Sequence, residues 1–141
     1  MPDTESSTLS KEERAAVKDR ARELKEQTTK AEAAKAVDDA IAALPTEDRA
    51  LAERIHAMVT KAAPQLDPKT YYGMPAYANS DGKVVCFLQP ASKFKVRYAT
   101  FGFETTAKLD DGDMWPTAFA LNKLSAADEA KLATLVKKAA S

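Results

Sequence analysis

The sequence is short of the residues that most site chemistry requires. It holds one cysteine, Cys86, and one histidine, His56, in 141 residues. A lone cysteine excludes an intramolecular disulfide and fits a reducing compartment. Two Cys/His ligands cannot close a structural zinc site, which takes four. Haem on a CxxCH motif and an iron–sulfur cluster held by one chain's cysteines are excluded in the same way. Any Ser-His-Asp or Cys-His arrangement would have only His56 as its base. The four glycines, Gly73, Gly82, Gly102 and Gly112, are too scattered for a phosphate-cradling loop. The longest aliphatic-aromatic run is Val84 to Leu88, and the first thirty residues hold no signal-peptide core. Neither secretion nor a membrane span is expected, and the expected location is cytoplasmic. Net charge is missing too, with 21 basic residues against 21 acidic. That argues against a generally basic nucleic-acid binder and against an acidic disordered tail.

What is present describes an ordinary globular chain, 45% apolar and 30% charged, of one domain's length. Residues 1–8 are small and polar and read as a disordered tail. Ser10 with Glu13 has capping-box spacing, which predicts a charged, Ala-rich helix over about 11–28. Its only larger aliphatics, Val17 and Leu24, form a thin stripe, so the helix is either partly docked and solvated or pairs with a partner. Thr29 with Glu32 repeats the capping spacing and predicts a helix with Val37, Ala40, Ile41 and Leu44 on its inner face. Pro45 ends it, and Thr46 is placed to cap a helix over about 47–63. Leu51, Ile55, Met58, Val59 and Ala62 mark that helix's core face. His56 lies off this face and is expected beside solvent.

The period then changes to two. Thr70 to Ala78 reads as one short or edge strand with a kink at Gly73 and Pro75. Asn79-Ser80-Asp81-Gly82 is a turn signal, and Lys83 to Gln89 is apolar on both faces, as in a central strand. Lys93 to Phe101 alternates, with Phe94, Val96 and Tyr98 on one side and Lys93, Lys95 and Arg97 on the other. Trp115 to Leu121 reads as a last strand. Ser125 with Asp128 caps a final helix whose seam is Leu132, Leu135, Val136 and Ala139. The expected fold is α+β: an antiparallel sheet of three to four strands, helices on one face and an extra N-terminal helix. The expected organisation is a tail and helical extension over 1–36 and an α+β domain over 37–141.

Three groups of residues carry chemistry. Asp110, Asp111 and Asp113 around Gly112 offer hard oxygen ligands for a divalent cation, or form an exposed Asp-Gly turn. Tyr71, Tyr72, Met74, Tyr77 and Trp115 are large amphipathic groups near chain bends, suited to a pocket rim or to a core edge. Lys95 and Arg97 would then anchor an anion. The basic stripe of Lys93, Lys95 and Arg97 has only Phe101 on its own side, so nucleic-acid binding is the least favoured reading. Cys86, inside the most apolar strand, is expected to be a buried small hydrophobe.

From Val37 to about Ala139 the chain resembles the YdhG-like domain family, small bacterial proteins catalogued as a domain of unknown function. The residues that carry the resemblance are the helix opened by Leu44-Pro45, the segment Tyr72-Gly73-Met74-Pro75-Ala76-Tyr77, the strand from Gly82 to Phe87, and the closing capped helix. The Gly-Met-Pro-Ala-Tyr string is the most specific. The resemblance implies an α+β domain with a helix-covered antiparallel sheet. One member is described as a frataxin-like intracellular iron chaperone, which implies a non-enzymatic iron carrier. It assigns no ligand residues here; the aspartates are a reading of this sequence alone. The resulting expectation is a cytoplasmic binding protein that holds Fe²⁺ weakly at the acidic loop and docks a protein partner on its sheet. The alternative is a small-molecule or peptide binding module built on the Tyr/Met/Trp cluster. Oligomeric state and ligand identity stay open.

Overall fold

Capping chemistry sets the helix starts. The computed structural model describes residues 9–25 and 29–141. The tail over 1–8 and the last turn of the helix expected over 11–28 lie outside the described residues. Helix α1 spans Lys11–Lys25. The Ser10 hydroxyl accepts from the Glu13 amide at 3.0 Å, and the Glu13 carboxylate accepts from the Ser10 amide at 3.0 Å. Two orphan N–H groups are thereby satisfied reciprocally. Thr29 and Glu32 do the same for α2, Lys30–Ala42, which runs unbroken through residues 36 and 37. Helix α3, Thr46–Ala62, follows Pro45 and carries Glu47 and Asp48 in its first turn. Negative charge there complements the helix dipole. Thr46 makes no side-chain cap, because it is already the first helical residue.

The sheet has five antiparallel strands in sequence order: β1 Asp67–Tyr71, β2 Met74–Ala78, β3 Val84–Gln89, β4 Ala99–Phe103 and β5 Ala118–Leu121. The strand expected over 70–78 is in fact two. Tyr71 pairs with Met74, so Tyr72 and Gly73 alone make the turn. Their φ values are 54° and 76°, the positive pair that a type I′ hairpin needs. Gly73 adopts this freely; a tyrosine there is uncommon. Pro68 is tolerated in β1 because β1 is an edge strand.

The strand expected over 93–101 is also corrected. Pro90 opens a single helical turn, α4, Ala91–Phe94, and Lys95 closes it at φ 53°. Asp48 of α3 holds this turn, accepting from the Ser92 amide at 2.9 Å and from the Ser92 hydroxyl. Strand β4 begins only at Ala99. Lys93, Lys95 and Arg97 therefore share no strand face, and Val96 and Tyr98 are exposed.

The closing helix, α5, spans Ala126–Ala139, with Ser125 capping the Asp128 amide at 3.1 Å. The core follows the sheet register. Tyr77 lies opposite Cys86, which lies opposite Phe103; Leu88 lies opposite Phe101. These side chains meet Val37 and Ile41 of α2, Ile55, Met58 and Val59 of α3, and Leu132 and Val136 of α5. Each such aliphatic side chain, taken fully out of water, contributes about 1.5–3 kcal/mol. On the opposite face the Phe87 ring lies over Gly102, where a Cβ would stand 2.4 Å from the ring. Among the described residues no helix is long and apolar enough to cross a membrane.

Candidate functional site

Helix α1 turns an unusual face inward. An Ala-rich helix with two aliphatics would be expected to bury them. Instead Val17 is 48% exposed and Leu24 68%, while Ala16 is 3% exposed. Glu12, Ala16, Asp19 and Glu23, spaced four, three and four, form the docked face. Of the three carboxylates Glu23 lies deepest, its side chain 9% exposed. One oxygen of its carboxylate accepts from the Tyr72 amide at 3.0 Å and the other from the Gly73 amide at 3.1 Å. The positive φ values of the turn aim two successive N–H groups at one anion, an arrangement of fixed backbone dipoles that needs no charged side chain. The Arg20 guanidinium sits 3.7 Å from the same carboxylate. It also covers the Tyr71 ring at 5.0 Å and the Tyr72 ring at 5.9 Å. Those two rings meet edge to face at 4.7 Å.

The α4 turn completes the corner. Lys93 reaches Asp19 at 3.6 Å and Lys95 reaches Glu12 at 3.4 Å. The turn that replaced the expected strand is what brings these two ammonium groups alongside α1. Along the docked side of α1, then, lie two outward amides, two tyrosine rings and Lys93, with the exposed Lys95 at its N-terminal end. A groove of about 690 Å³ opens beside them between α1, α2 and α4, bordered by Asp39, Leu44, Gly73 and Lys93.

The structure divides the residues singled out from sequence. Tyr71, Tyr72 and Met74 come together at the hairpin, with Met74 buried as the first residue of β2, while Lys95 pairs with Glu12 toward the other end of α1. The Tyr71 hydroxyl is pushed up from its usual pKa by burial and by the Glu104 charge, and Arg20 opposes that shift. Tyr77 belongs to the core. Its hydroxyl lies 2.9 Å from Nδ1 of His56, and burial raises its pKa strongly. His56 flanks solvent, its side chain 25% exposed, and also partners the core tyrosine, with Asp38 3.8 Å from its Nε2. Trp115 packs half-buried against the core ahead of β5, at the sheet edge opposite β1. Arg97 stands over Tyr98 at 5.1 Å, outside the corner's ion pairs. Asp110, Asp111 and Asp113 are exposed around Gly112. Among the described residues no three His, Cys, Asp or Glu side chains are placed to hold a metal ion. Cys86 is fully buried, and burial pushes its thiol up to about 12.

Sequence reasoning missed Glu12, Asp19, Arg20 and Glu23. The available signal was the i, i+7, i+11 spacing of three carboxylates on a helix whose aliphatic stripe is too thin to dock it. The Gly-Met-Pro-Ala-Tyr string occupies the second turn residue and β2 up to Tyr77. No protein-family model matches the chain, and neither a curated protein nor a solved structure matches it at a significant level.

Proposed function

We propose that the chain is a binding module that recognises a carboxylate-bearing peptide segment at the corner formed by the Tyr72–Gly73 turn, Lys93 and Lys95. The observation that carries this reading is the capture of both Glu23 carboxylate oxygens by two consecutive backbone amides. Hydrogen bonds to a charged group contribute about 1.5–3 kcal/mol each, and the backbone donors are already oriented. Tyr71 and Tyr72 add flat apolar area beside the anion. The groups at the corner donate hydrogen bonds and positive charge, so they bind and orient an anion.

The test is an amide-resolved titration of the full chain carrying Glu12→Gln, Asp19→Asn and Glu23→Gln. The probe is a peptide with the native sequence of residues 9–25. Saturable shifts at the Tyr72 and Gly73 amides, with affinity falling as salt rises, are the expected result. Absence of a saturable shift at those two amides refutes the reading.

A further inference from the structure

We infer that α1 is an exchangeable occupant of this corner, covering a site whose partner in trans is a helix that presents carboxylates at the i, i+7 and i+11 positions that Glu12, Asp19 and Glu23 hold in α1. The inference rests on the docking reading above and adds what covers the site and what displaces the cover.

The first argument is which face α1 buries. A helix that belongs to a fold contributes its aliphatic side chains to the core. No α1 side chain belongs to the main core, which closes among α2, α3, α5 and the sheet. Ala16 is the only buried residue of α1, and Val17 and Leu24 face outward. Removing α1 therefore takes no side chain out of the main core.

The second argument is how α1 is held. Its attachments include three carboxylates on donors of the domain and Arg20 lying on two rings. Lys95 is 75% exposed in its pair with Glu12. Exposed pairs of this kind add little and weaken with salt. The Glu23 clasp is the strongest point, and any carboxylate presented in the same geometry can replace it.

The third argument is what α1 covers. Without it the Tyr72 and Gly73 amides, Lys93, Lys95 and the two tyrosine rings form one surface that carries donors and positive charge. Charge complementarity selects a segment that presents carboxylates on its docked face, as α1 does although its basic residues outnumber its acidic ones. The distance from the lysines to the turn is matched by a helix with carboxylates seven and four residues apart, since α1 itself spans it.

The experiment compares the wild-type full chain with the triple variant Glu12→Gln, Asp19→Asn, Glu23→Gln, each titrated with the 9–25 peptide. Hydrogen exchange at Tyr72 and Gly73 is followed in parallel. If α1 is a resident competitor, the variant binds the peptide roughly tenfold or more tightly than wild type, because apparent affinity scales with the uncovered fraction. The two turn amides also lose protection in the variant and regain it with peptide. Equal affinity in both chains overturns the inference while leaving the docking reading in place. No binding in either chain overturns the docking reading itself. Isotope-filtered contacts between α1 of one wild-type copy and Gly73 of another would identify the trans occupant as a second copy and overturn the assignment to a separate partner.

Discussion

The contact between His56 and Tyr77 gives a sharp energetic test. The Tyr77 hydroxyl lies in the core, on a side chain only 1% exposed, and Nδ1 of His56 is its partner at 2.9 Å. The two ends of this hydrogen bond differ in their access to water. The His56 side chain is 25% exposed, so its nitrogen can be rehydrated; the tyrosine oxygen cannot. Tyr77→Phe should therefore cost about 0.5–1.5 kcal/mol, the net value of one hydrogen bond. His56→Leu strands a buried hydroxyl and should cost about 1–3 kcal/mol, although it adds apolar surface. In the double variant no polar group is stranded, and its cost should fall back close to that of Tyr77→Phe alone. The coupling energy then equals the cost of His56→Leu, about 1–3 kcal/mol. Urea unfolding of the four proteins measures it, read as midpoint changes at constant m. Additivity within about 0.5 kcal/mol, or His56→Leu costing less than Tyr77→Phe, would refute the reasoning. Asp38 is 68% exposed at 3.8 Å from the ring; Asp38→Ala should change stability by less than about 1 kcal/mol.

Gly73→Ala places a methyl 2.4 Å from Oδ2 of Asp19 at a φ of +76°. It should destabilise the hairpin by about 1–2 kcal/mol and lower hydrogen-exchange protection along α1. Gly102→Ala puts a methyl 2.4 Å from the Phe87 ring. It should cost about 1–3 kcal/mol in chemical unfolding, and Phe87→Leu should recover part of that cost. The Cys86 thiol has a pKa near 9.0 when unperturbed and about 12 in the fold. The folded state thus holds its proton where the unfolded state has lost it, so stability is undiminished below pH 9 and declines from pH 9 towards 12. The Cys86 contribution to that slope is at most about 1.4 kcal/mol per pH unit, and Cys86→Ala should flatten it in unfolding measured across that range. Buried Tyr77, raised in the same direction, keeps the remaining slope negative above pH 10.

Chemistry between near neighbours in the chain was readable directly. Ser10 with Glu13, Thr29 with Glu32 and Ser125 with Asp128 mark helix starts, because a cap and its amide lie three residues apart. Pro45 marks a stop. The Ile55, Met58 and Val59 stripe and the doubly apolar β3 announce the core, since burial imposes its period on the residues themselves. The α+β class with an antiparallel sheet follows from those elements and their short connections.

Packing between distant segments decided the rest. The alternation of Phe94, Val96 and Tyr98 is the pattern of a strand, yet Asp48, 44 residues away, holds Ser92 in a helical turn. The hairpin lacks an Asn-Gly or Asp-Gly signal and puts Tyr72 at positive φ, so within a tyrosine-rich run its glycine reads as a kink. His56 does flank solvent, but its contact with the hydroxyl of Tyr77, 21 residues on, exists only in the fold. The corner that binds Glu23 is the extreme case. Its principal donors are main-chain N–H groups, which every residue but proline possesses, and only the backbone geometry of the turn aims two of them at one carboxylate.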